Sequence, residues 1–186
     1  MDALELLLTR TSSPALTEPA PTTEQVQTML TAASRAPDHG GLKPYRFLEI
    51  TGEGLDRLGE LYLSATEAKS NDIDETKRNR LLNMPRRAPM ILVAIAVKKD
   101  HPKVPHVEQV ITAGCAAQAV VQTAFALGIG AMWRSGDLMF DPIVTSGLGL
   151  NAHEEIVGFI YLGQPLKVKE VPVVDASSLM SVWPNE

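Results

Sequence analysis

Cysteine is almost missing from this chain. Cys115 is alone among 186 residues, which excludes an intramolecular disulfide framework and any cysteine-based zinc cluster and suits a reducing compartment. Positive charge is also scarce. The 17 Lys and Arg are outnumbered by 22 Asp and Glu, for a net charge of −5. Binding through phosphate contacts calls for the opposite balance, so no nucleic-acid partner is expected. The opening Met1-Asp2-Ala3-Leu4-Glu5 lacks the basic flank and apolar run of a secretory signal, and a cytoplasmic protein is expected.

Several catalytic signatures fail on inspection. Gly147-Leu148-Gly149-Leu150-Asn151-Ala152 has dinucleotide-binding spacing, but that chemistry needs a strand before the glycines and a helix after them. Here a helix is expected before and a strand after, so the segment reads as a turn, as does Gly52-Glu53-Gly54. Met132 stands where a nucleophile elbow around Ser135 would need glycine. His39, His101, His106 and His153 have no metal-ligand spacing, and no metal is expected. Cys115 lies among small residues and reads as packing.

What the chain does have is a core. Hydrophobic residues make up 45% and charged residues 21%, the composition of an ordered protein. Its length suits one domain spanning 1–186, with roughly 70% of the unfolded surface buried. Val110 to Trp133 runs 24 residues without a charge, enough to cross a bilayer. Thr112, Gln118, Gln122 and Thr123 interrupt it, and Gly128-Ile129-Gly130 ends it. A buried helix is expected, and no membrane contact.

Asp2 caps a helix ending at Thr9, with Leu4, Leu7 and Leu8 on one face. Thr22 and Gln25 have capping-box spacing ahead of Val26, Met29, Leu30 and Ala33, and Pro37 stops that second helix. Strands are expected at 45–50, 90–97, 131–133 and 156–162. Helices are expected at 55–69, over the uncharged stretch, and at 137–146. Residues 70–76 are polar, a loop or the start of another helix. Residues 90–97 are apolar throughout, the pattern of a strand buried on both faces. The tail from Gln164 carries Pro165, Pro172 and Pro184 without periodicity, and is expected to pack on something, such as a partner subunit. Strands mixed irregularly with longer helices read as α+β around one sheet.

Between Thr76 and Lys103 eight cations, Lys77, Arg78, Arg80, Arg86, Arg87, Lys98, Lys99 and Lys103, face only Asp100. The window is either a solvated surface or an electrostatic funnel for a phosphorylated substrate. Three arginine groups stand at breaks in structure: Arg10 with Thr11 and Ser12, Arg35 with His39, and Trp133-Arg134-Ser135. Guanidinium, hydroxyl and helix-start amides are what a phosphate needs.

These segments, together with Arg35-Ala36-Pro37-Asp38-His39, Arg87-Ala88-Pro89, Lys103-Val104-Pro105 and Glu155 through Gly163, resemble the FMN-dependent nitroreductase family, in particular its short bacterial YdjA-like branch. The resemblance covers nearly the whole chain in order. It implies an α/β sandwich with a central mixed or antiparallel sheet flanked by helices, and an obligate homodimer with FMN at the subunit interface. It implies that Arg10, Thr11, Ser12, Trp133, Arg134 and Ser135 bind FMN, with Arg10, Ser12 and Arg134 on the phosphate. Arg35 and His39 would join the site from the other subunit. The implied reaction takes hydride from the co-substrate NAD(P)H onto the flavin and passes electrons to a nitroaromatic or quinone acceptor, a small molecule, by a ping-pong scheme. The cofactor carries the chemistry, so no catalytic side chain is expected. Thr11 replaces a second arginine of the family pattern. Pro14 stands where many relatives have a lysine facing the flavin, and Lys43-Pro44-Tyr45-Arg46-Phe47 departs from the usual Gln-Pro-Trp-His-Phe. These departures keep two other readings open: a different flavin enzyme on the same fold, a dehydrogenase or flavin-modifying enzyme, or a dimeric binding protein that no longer uses FMN.

Overall fold

The apolar run Met90–Val97 forms the central strand of a computed structural model that describes residues 1–70, 72–167 and 169–183. In chain order the elements are α1 (Ala3–Thr9), β1 (Leu16–Thr17), α2 (Thr23–Ala33), β2 (Tyr45–Thr51), α3 (Glu53–Glu67), α4 (Glu75–Asn83), β3 (Met90–Val97), α5 (His106–Ala126), β4 (Gly130–Arg134), α6 (Pro142–Gly147) and β5 (Glu154–Pro165). Short 3-10 turns lie at His39–Gly41, Pro85–Arg87, Asp137–Phe140 and Ser177–Leu179. All strand pairings are antiparallel: β2 on β3, β3 on β5, and both β4 and β1 on β5. The sheet expected as mixed or antiparallel is therefore antiparallel, with helices on both faces.

β3 divides the core. Ile91, Val93 and Ile95 face α3, α4 and α6, while Met90, Leu92 and Ala94 face α2 and α5. On β5 the alternation slips at Val157. Ala94 pairs with Gly158 and Ile95 with Ile156, so a bulge puts Ile156, Phe159 and Tyr161 on one face and Ile160 and Leu162 on the other. Small residues let α5 lie close against the sheet, with Ala113, Ala116, Ala117 and Ala124 buried. α4 lies close on α3 because Gly59 has no side chain. A Cβ there would be 2.3 Å from the Leu82 carbonyl oxygen.

Both capping boxes form, with Asp2 accepting from Glu5 and Thr22 from Gln25. One expectation is corrected. The helix expected at 137–146 is a 3-10 turn followed by α6, split where the Asp141 side chain caps the new helix and Pro142 starts it. The open stretch after residue 70 leads into α4, capped by Asp74. Residues 16–17 form the two-residue strand β1. Leu4, Leu7 and Leu8, expected on one face of α1, are exposed. The tail beyond β5 is also exposed, at Val173, Val174, Leu179, Met180 and Trp183 among others. Pro184 lies outside the described residues. No helix among the described residues is long and apolar enough to cross a membrane.

Candidate functional site

α1 ends where the Arg10 amide donates to the Leu6 carbonyl at 3.1 Å, and the chain leaves the helix as the loop 10–15. That loop is tied to two strands. The Ser13 amide donates to the Ala131 carbonyl of β4 at 2.9 Å, and the Leu166 amide, just past β5, donates to the Ala15 carbonyl at 3.1 Å. Arg134 Nη2, at the end of β4, donates to the Pro14 carbonyl at 3.3 Å. Arg10, Thr11 and Ser12 are thus brought beside Trp133, Arg134 and Ser135. The side chains of Arg10, Thr11 and Ser12 are half-buried, and none takes part in a hydrogen bond or ion pair among the described residues. The same backbone pairing carries exposed Lys167 alongside this loop, a cation that sequence reasoning missed. Its signal is the pairing of β1 with β5, and a two-residue strand has no readable periodicity.

Strand alternation sends Trp133 and Arg134 to opposite faces of the sheet. Trp133 packs on the α2 and α5 side and lies across Gly158, where a Cβ would come within 2.0 Å of the indole nitrogen. Arg134 faces the α3 and α4 side. Its guanidinium carbon is 5.3 Å from the centre of the Tyr161 ring, a cation–π contact. Arg134 Nε is buried without a hydrogen-bond partner among the described residues. Such a group costs about 1–3 kcal/mol, and a missing ligand is one explanation for it.

Beside Arg134 opens a cavity of about 600 Å³, lined by Tyr62, Arg80, Met84, Arg87, Phe159 and Tyr161 with the Met132–Met139 segment. Tyr62 meets Phe159 edge to face at 5.9 Å. Burial pushes the Tyr62 hydroxyl well up and also raises that of Tyr161, the latter against the pull of Arg134 and Arg87. Both stay neutral phenols and offer no negative charge to the arginines.

Arg35 and His39 are held elsewhere. Both are exposed. His39 Nδ1 is 2.7 Å from Glu108 of α5, and Thr112 Oγ1 donates to the Pro37 carbonyl at 2.9 Å. This segment is therefore anchored to the first half of α5. No hydrogen bond or ion pair of the described residues joins it to the Arg10 or Trp133 group.

The basic window divides. Arg78 pairs with Glu67, Arg86 with Asp56 and Lys98 with Glu155, while Lys99 donates to the Leu42 carbonyl. Arg80 and Arg87 face the cavity and form no ion pair with any described residue.

Comparison with known proteins places these features. The sequence profile of the nitroreductase family matches residues 7–164. The chain is 44% identical over 165 residues to YdjA of Escherichia coli strain K12, named provisionally as an NAD(P)H nitroreductase, with 89% of each chain covered. It is 34% identical over 184 residues to a similarly named Haemophilus influenzae protein, covering 97% of this chain and 99% of that one. In structure it is similar to a nitroreductase-like family protein from Bacillus cereus, at a TM-score of 0.84 and 21% identity over 100% of this chain and 97% of that one. It is also similar to a nitroreductase with bound FMN from Bacteroides fragilis, at 0.73 and 20% over 98% and 100%.

Proposed function

This chain belongs to the nitroreductase family, and on that premise we propose that it is an NAD(P)H-dependent nitroreductase that uses FMN and works as a homodimer. One observation carries the reading. The Arg10–Pro14 loop is hydrogen-bonded onto β4 next to Trp133 and Arg134, with side-chain donors left unpaired on both segments.

The donor set fits FMN. Arg10, Thr11 and Ser12 present a guanidinium and two hydroxyls at a helix end, and Lys167 adds positive charge beside them. Together they would hold the phosphate. Arg134 stands beside this loop. Its guanidinium turns to Pro14 and Tyr161, so it serves the ring end of the site better than the phosphate end. Pro14 cannot carry a charge, but its carbonyl holds the Arg134 cation beside it. FMN, when bound, supplies the redox chemistry between NAD(P)H and the acceptor. The protein supplies position, positive charge and exclusion of water. Trp133, seated on Gly158, sets one wall, and Ser135 offers an exposed hydroxyl at its rim.

The homodimer reading rests on unburied apolar surface. Leu4, Leu7 and Leu8 of α1, Val107 and Ile111 of α5, and the tail apolars are all exposed in the single chain, as at a protein–protein interface. Residues 1–186 then form one domain, with the segment from about 164 packed on the partner. Arg35 and His39, anchored on α5, complete the partner's site. Nitroaromatics or quinones are the acceptors, and reductant and acceptor occupy one place in turn. Steady-state kinetics test this point. Parallel double-reciprocal lines are expected when NAD(P)H and acceptor are varied, and intersecting lines would contradict it.

A further inference from the structure

Beside Arg134 the cavity carries two further guanidiniums that the proposed cofactor reading does not use. Three guanidiniums, from Arg80 on α4, Arg87 before β3 and Arg134 on β4, line it, and Asp137 is the only carboxylate that does. None of the three forms an ion pair with a described residue. Their neighbours behave differently, since Arg78 and Arg86 each have a carboxylate partner. Three guanidiniums against one carboxylate leave net positive charge inside. Arg134 is also fixed before any ligand arrives, held by the Pro14 carbonyl and the Tyr161 ring, with its Nε donor unused.

The remaining walls are aromatic and apolar: Tyr62, Phe159 and Tyr161, with Met84. A volume of about 600 Å³ falls within the range of small-molecule sites. Planar guanidiniums suit a carboxylate through paired hydrogen bonds, and aromatic faces suit a flat ring. We propose that this cavity is a subsite for an aromatic carboxylate, seating the ring against Tyr62 and Tyr161 and the carboxylate on Arg80, Arg87 and Arg134. The acceptor class is thereby narrowed from nitroaromatics or quinones in general to those that carry an anionic group. This narrowing rests on the nitroreductase reading, but binding in the cavity does not.

The test is isothermal titration of the protein, loaded with FMN and without reductant, using 4-nitrobenzoate and its neutral counterpart 4-nitrobenzamide. The acid is expected to bind at least about tenfold more tightly than the amide. Arg80→Gln and Arg87→Gln should each weaken the acid about tenfold and leave the amide unchanged, with Arg87→Lys recovering part of the loss. In turnover the same variants should raise KM for the acid with little change in kcat. Equal affinity for acid and amide would overturn the proposal. So would arginine variants that weaken both ligands alike, or 4-nitrobenzoate that flavin-free protein binds and FMN displaces, since the cavity would then belong to the flavin. A protein that takes up no FMN, or whose flavin NAD(P)H does not reduce, fails the nitroreductase reading instead. The same titration on that protein still reads the cavity.

Discussion

Trp133 lies close enough on Gly158 that any side chain at that position would collide with it. A methyl group would sit 2.0 Å from the indole nitrogen. One glycine on β5 therefore positions the aromatic wall of the site on β4. Gly158→Ala is expected to displace the indole, destabilise the fold by about 1–3 kcal/mol through overpacking, and weaken FMN binding. Thermal unfolding and flavin titration check the two effects. Unchanged flavin affinity would separate Trp133 from the site.

Arg10 and Ser12 have no side-chain partners to lose. Arg10→Ala and Ser12→Ala should therefore weaken FMN binding by about tenfold or more, the worth of charge-assisted hydrogen bonds, while Tm of the flavin-free protein stays nearly constant. Flavin fluorescence titration and a melting curve read the two quantities independently.

Arg46 of β2 reaches across β3 to Glu154 of β5 with two hydrogen bonds, at 2.6 and 2.9 Å. The Glu154 side chain is only 6% exposed. The Arg46 hydrogen bond, partly opposed by burial, holds the Glu154 carboxyl down at about 2, against 4.5 when unperturbed. A carboxylate lowered in the folded state contributes stability that is fully present above the unfolded value and lost as pH falls. The contribution should thus be complete above about pH 5 and fade between about pH 4.5 and pH 2. Glu154→Gln is expected to cost about 1.5–3 kcal/mol near neutrality and to flatten stability across that acidic window. Urea melts at stepped pH would show both.

The assignment of Arg35 and His39 to the partner's site can be tested by complementation. A subunit carrying Arg10→Ala and Ser12→Ala and one carrying Arg35→Ala and His39→Ala should each bind FMN poorly as homodimers. After unfolding and refolding together, about half the dimers are mixed by statistics, and each mixed dimer has one intact site. Recovery of about a quarter of the normal flavin content is expected. No recovery would place all four residues in a site built by one chain, and normal flavin binding by the Arg35→Ala, His39→Ala homodimer would exclude those two residues from it.

Much of this was legible from local signals. The caps at Asp2 and Thr22, the doubly buried run 90–97 and the uncharged helix all follow from short-range patterns, although the helix starts at His106, four residues before its uncharged run. The contacts that build the site were not legible. Ser13 on Ala131, Arg134 on Pro14 and Leu166 on Ala15 join residues far apart in sequence, two of them through backbone atoms that any residue supplies. The split at Asp141-Pro142 was missed because apolar spacing continues across it, although Asp before Pro is a helix start. The bulge at Val157 reverses the face of every later residue on β5, and no single residue marks it. The charge window could be seen but not divided, because Glu67 and Asp56, which neutralise Arg78 and Arg86, lie on another helix.

The central claim is that the unpaired donors of the Arg10–Ser12 loop and β4 hold FMN and that NAD(P)H reduces it there. The most direct measurement is the visible absorption spectrum of the purified protein, reconstituted with FMN if colourless, before and after anaerobic addition of NAD(P)H. A protein-bound flavin band that bleaches on addition is the predicted result. Protein that shows no bound flavin after reconstitution, or a bound band that NAD(P)H leaves unchanged, would contradict it.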